Sequence, residues 1–71
     1  MLNARQEKVI RSMFNAGYTG FEGGLSADNY ISITRTSPST ATRDLQDMVN
    51  KNVLTRTGQK KSTRYWLNVK R

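Results

Sequence analysis

The segment Ser37-Pro38-Ser39-Thr40-Ala41-Thr42-Arg43-Asp44-Leu45 fixes a helix start more firmly than any other part of this 71-residue chain. A serine at the N-cap accepts a hydrogen bond from an amide of the first turn, and a proline just inside lacks only an N–H that would have no helical partner there. Behind this start, Ala41, Leu45, Met48 and Val49 recur at i, i+4, i+7 and i+8, the buried stripe of a helix over 38–51. Asn50-Lys51-Asn52 ends it, because asparagine tolerates the left-handed conformation and lysine is favourable at the negative helix end.

A start at residue 37 leaves little room for what precedes it. Ser26 is the N-cap of a short helix over 27–34, with Tyr30, Ile31 and Ile33 as its apolar positions, so only Arg35-Thr36-Ser37 separates the two helices. Such a tight connection requires a small residue where the helices cross, and Ala41 supplies one. The pair has the pattern of a helix-turn-helix. Upstream, Val9, Ile10, Met13 and Phe14 mark one face of a helix over 3–16, capped by Asn3 and stopped by Gly17. The intervening Gly17, Gly20, Gly23 and Gly24 break helix, while Tyr18, Phe21 and Leu25 still offer apolar contacts.

After the last helix, residues 53–57 and 63–69 have strand composition and flank the loop Gly58-Gln59-Lys60-Lys61-Ser62. Strand alternation sets Tyr65, Leu67 and Val69 on one face, and Arg64, Trp66 and Asn68 on the other. Trp66 is then either partner-facing or, as the lone tryptophan of a small domain, part of the core. The expected architecture is one α+β, mainly α, domain over 1–71. It is a winged helix-turn-helix of three helices and a C-terminal two-stranded hairpin, with Leu25 as a very short third strand.

Composition removes several function classes. The chain has no cysteine and no histidine, so disulfides, thiolate or imidazole metal sites, catalytic triads and thiol nucleophiles are excluded. Asp44 and Asp47 stand three apart, but the expected role of Asp47 is pairing with Lys51 and Arg43 on its own helix, and that of Asp44 is pairing with an arginine of the hairpin. The glycines lack the GK[ST] ending of a phosphate loop. No enzyme activity, cofactor or metal is expected. No apolar run approaches the ~20 residues of a membrane span, and no signal-peptide pattern is present; a cytoplasmic location without membrane association is expected.

Charge points to the partner. Residues 1–34 hold three basic and three acidic side chains, whereas residues 35–71 hold nine basic and two acidic, so the whole net charge of +7 lies in the second half. A polyanion is the partner that such segregation fits, and the expected one is double-stranded DNA. On the last helix, Ser39, Thr40, Arg43 and Gln46 are the base-reading candidates, since arginine matches guanine O6 and N7, glutamine matches adenine N6 and N7, and short hydroxyls reach base edges. Arg35, Ser37, Thr42, Gln59, Lys60, Lys61 and Arg64 are candidates for the phosphates and the wing contact.

The stretch Ser39–Val49, with its Thr-Ala-Thr-Arg-Asp-Leu core, then Asn52–Gly58 and Lys61-Ser62-Thr63-Arg64-Tyr65-Trp66-Leu67-Asn68, resembles the C-terminal winged-helix domain of Fic (filamentation induced by cAMP) family proteins. The likeness covers roughly the last 45 residues. Asn52 stands where that family usually has glycine and must adopt the left-handed conformation, and Lys61 stands where it often has Gly-Arg. The family's His-Pro-Phe-x-x-Gly-Asn-Gly-Arg motif for AMP transfer has no counterpart here. The resemblance therefore implies a detached or free-standing winged helix without transferase activity. Its alternative role is protein interaction, in which the apolar hairpin face and Trp66 dock on a Fic-type catalytic domain or another target.

Overall fold

A computed structural model describes residues 1–17, 21 and 23–68, without the side chain of Lys61. Helix α1 spans Ala4–Ala16, α2 Ala27–Thr34 and α3 Pro38–Asn50; strand β1 spans Leu54–Thr57 and β2 Arg64–Leu67. The strands pair antiparallel in the register Leu54↔Leu67, Thr55↔Trp66, Arg56↔Tyr65, Thr57↔Arg64. A single 3-10 turn over Lys60–Ser62 forms the hairpin tip, where a plain loop was expected. The chain has a winged-helix-like α+β fold, mainly helical. Helices α2 and α3 begin at the expected residues; each strand starts one residue later than expected, and β2 also ends at Leu67, before Asn68. Tyr18 and Val69, given apolar and strand roles above, lie outside the described residues.

Each helix start has a side-chain cap. Asn3 and Gln6 form a reciprocal capping box on α1, and Ser26 and Asn29 form another on α2. Ser37 Oγ accepts from the Thr40 amide, with Pro38 at the first helical position of α3. The C-terminus of α3 closes as a Schellman motif: the Val53 amide donates to the Met48 carbonyl at 2.9 Å and the Asn52 amide to the Val49 carbonyl at 3.0 Å. Asn52 takes the left-handed φ of 62° that this motif needs. The cap turns the chain directly into β1, and the Asn68 amide donates to the Val53 carbonyl to seal the hairpin base.

Leu25 forms the short third strand. Its amide and carbonyl exchange hydrogen bonds with Tyr65, each 2.8 Å. Gly24, just before it, is buried with φ of +85°, and a Cβ there would stand 2.8 Å from Arg64 Cβ and 3.0 Å from the Trp66 ring. Only glycine lets this loop lie against the hairpin.

The core comprises Val9, Met13, Leu25, Tyr30, Ala41, Leu45, Met48, Leu54, Tyr65 and Leu67. Two expectations for α1 need correction. Phe14 is 62% exposed, and Ile10 is only half-buried. The helix is rotated so that Gln6, Val9 and Met13 face inward, at i, i+3 and i+7. Gln6 holds that inward position because its carboxamide finds partners there: Nε2 donates to the Asp44 carbonyl and to Asp47 Oδ2, both at 3.0 Å. A polar side chain can stay inside when its donors are satisfied.

Candidate nucleic-acid interface

The outer surface of α3 follows from what its inner surface holds. Asp44 lies on the buried stripe with Ala41, Leu45 and Met48. Its carboxylate receives Arg5 Nε at 2.7 Å and Arg5 Nη2 at 3.2 Å, Tyr30 Oη at 2.6 Å, and Asn3 Nδ2 at 3.2 Å. The arginine partner therefore comes from α1, not from the hairpin as expected. Burial opposes the charged carboxylate, but the hydrogen bonds from Arg5, Tyr30 and Asn3 outweigh it and hold Asp44 below the usual carboxylate range. Tyr30, desolvated and bonded to Asp44, has its hydroxyl pushed well above the ordinary tyrosine value.

Asp47 is half-buried, pairs with Lys51 at 2.9 Å, and accepts from Gln6. Lys51 and then Gln6 hold it below the ordinary aspartate value. Lys51 also donates to the Met1 carbonyl at 2.9 Å. The expected partnership of Asp47 with Arg43 does not form, and Arg43 has no ion-pair partner among the described residues. Both α3 carboxylates are thus occupied by α1 or by the helix end.

What remains outside is a stripe of exposed Ser39, Thr42, Arg43, Gln46 and Asn50. These positions step by three, one, three and four residues along one helical face and carry one positive charge and no negative one. Gln46 Nε2 donates to Asn50 Oδ1 at 3.1 Å, which orients the Gln46 carboxamide along the helix surface. Thr40 is half-buried, and its Oγ1 accepts from Ser37 Oγ at 3.0 Å, so its hydroxyl belongs to the cap cluster. Ser37 Oγ also lies 3.4 Å from Ser39 Oγ.

The remaining candidate cations lie in the turn before α3 and on the hairpin. Arg35 is exposed in the turn before α3, in the left-handed conformation at φ 55°, with its amide bonded to the Ile31 carbonyl. Gln59 and Lys60 are exposed at the hairpin tip, where Lys60 also has positive φ. The Lys61 side chain lies outside the described residues. Arg64 is half-buried; it donates from Nη1 to the Thr63 carbonyl and lines a cleft of about 440 Å³ with Ser26, Ala27, Asp28 and Lys60. The wing cations therefore sit beside the N-terminus of α2.

One exposed cation escaped the sequence reasoning. Arg56 shares a strand face with Leu54 and Tyr65 but lies beyond the buried cluster, so it is exposed. Alternation sets Arg56 on the Leu54 face, so the available signal was its charge within a basic hairpin, not its strand position. Trp66 takes the outward position predicted by alternation: it is half-buried, its indole N–H donates to Thr57 Oγ1 at 2.9 Å across the hairpin, and its ring covers Gly24. Among the described residues, no helix is long and apolar enough to cross a membrane.

No protein-family model matches this chain, and no curated protein is significantly similar to it.

Proposed function

We propose that this protein binds double-stranded DNA as a regulatory winged helix, with the outer face of α3 in the major groove and the hairpin against the sugar-phosphate backbone. The observation that carries this reading is the carboxylate-free stripe on α3. A helix bearing two aspartates would be repelled by a polyanion if either projected outward. Here Asp44 is buried against Arg5 and Tyr30, and Asp47 is neutralised by Lys51.

Arg43 and Gln46 are the base readers, each able to make a bidentate contact worth about 1–3 kcal/mol of discrimination. Ser39 and Thr42 complete the groove face. Ser37 and Thr40 hold the helix start that aims these side chains. Arg35, Arg56, Gln59, Lys60, Lys61 and Arg64 supply sequence-independent attraction to phosphates. Within the Thr-Ala-Thr-Arg-Asp-Leu segment, Thr42 and Arg43 face out, while Ala41, Asp44 and Leu45 face in.

The test is the salt dependence of binding to a random duplex. Four engaged phosphates predict a slope of log K against log salt of roughly −3.6, at about −0.9 per neutralised phosphate. A binding constant that stays flat between low and moderate salt contradicts the proposal. No duplex affinity beyond weak basic attraction, together with binding of a protein through the hairpin and Trp66, identifies a protein-interaction domain instead.

A further inference from the structure

The outward face of α1 has a second feature that DNA binding does not use. Ala4, Glu7, Arg11 and Phe14 are all exposed, and their spacing of i, i+3, i+7 and i+10 puts them in one line along the helix. Phe14, at 62% exposure, and Met1 are the large hydrophobics that the described surface leaves in water. Neither Glu7 nor Arg11 has an ion-pair partner among the described residues. The line faces away from Gln6, Val9 and Met13, which pack on the rest of the molecule, and so away from α3.

We propose that this line is the interface with a second copy of the chain, formed by two α1 helices packed antiparallel about a two-fold axis. The sequence of the line is self-complementary under that operation. With the axis at the level of Val9, Glu7 of each copy meets Arg11 of the other, and Phe14 of each copy lies over the small Ala4 of the other. An isologous contact needs such matching of a patch with its own reverse. Charge also favours this face over others: residues 1–34 are neutral while residues 35–71 carry +7, so pairing through α1 keeps the two basic halves apart. One helix face is smaller than the roughly 800 Å² per partner of a stable interface, so the association is weak and reversible.

Sedimentation equilibrium of the whole chain, from about 10 μM to about 1 mM at roughly 0.15 M salt, tests this directly. The weight-average mass is expected to rise from that of one chain toward that of two. Phe14→Ser is expected to abolish the rise while leaving the circular dichroism spectrum and melting transition in place, because Phe14 is exposed in the single chain. Glu7→Arg and Arg11→Glu should each weaken association at least about tenfold by setting like charges opposite each other, and the double variant Glu7→Arg/Arg11→Glu should restore it. A chain that stays single throughout, an association that survives Phe14→Ser, or a double variant no better than the single ones overturns the proposal.

Discussion

Tyr30 Oη donates to Asp44 Oδ2 at 2.6 Å across the crossing of α2 and α3, with both residues in the interior. This bond and the Arg5 fork on the same carboxylate tie all three helices to one charge. They also decide which face of α3 meets solvent, because turning Asp44 outward would break every one of these contacts.

Removing the tyrosine hydroxyl leaves the buried carboxylate one donor short. Tyr30→Phe is expected to lower unfolding stability by about 1–3 kcal/mol, measured by urea denaturation with an unchanged m-value. Asp44→Asn is expected to cost a similar amount, and the double variant less than the sum, because both changes remove the same bond.

Stability against pH follows from the same pair. The folded Asp44 carboxyl titrates below its unfolded value of about 3.9, so the unfolded chain takes up the proton first as acid is added. The stabilisation is complete above about pH 4 and is lost as pH falls through the folded value. Tyr30 has the opposite sign: its folded value lies above the ordinary value of about 10, so its contribution is complete below about pH 10 and is lost as pH rises through the folded value. Melting temperature should therefore be flat between these limits. Asp44→Asn should shrink the acid limb to the part that Asp47, also held below the ordinary value, contributes, and Tyr30→Phe should flatten the alkaline one.

Arg35 ends α2 in the left-handed conformation, which costs a non-glycine residue roughly 1–2 kcal/mol. Arg35→Gly is expected to raise stability by up to about 1 kcal/mol while weakening binding to every duplex alike. Opposite signs in melting temperature and DNA affinity are the signature to look for; a loss of both contradicts the assignment of Arg35 to phosphate contact.

At Gly24 a methyl group meets Arg64 Cβ and the Trp66 ring while the backbone holds φ at +85°. Gly24→Ala is expected to destabilise the domain by about 1–3 kcal/mol and to change Trp66 fluorescence in the folded state, since the indole must move off the loop.

The helix starts and the Leu25 bridge were legible because their signals are local: Ser26, Ser37 and Pro38 mark caps, and Leu25 stands between a glycine pair and a second cap. The orientation of α1 was not legible. Val9, Ile10, Met13 and Phe14 outrank a glutamine by hydropathy, and only the fold brings Gln6 to the Asp44 carbonyl, 38 residues away. For Asp44 a weaker signal existed, since it stands at i+3 from Ala41 and one residue before Leu45, on the stripe itself. What the sequence could not supply was its partner, because Arg5 lies 39 positions upstream.

The most direct test of the DNA interface is a chemical-shift titration of the whole chain with a short duplex, repeated with Arg43→Ala. The account predicts that the amides of Ser39, Thr42, Arg43, Gln46 and the hairpin tip shift together, and that Arg43→Ala lowers the preference for an enriched sequence over a random one by about tenfold, or roughly 1.4 kcal/mol. Shifts confined to the surface around Trp66, with the α3 stripe unmoved, would contradict it.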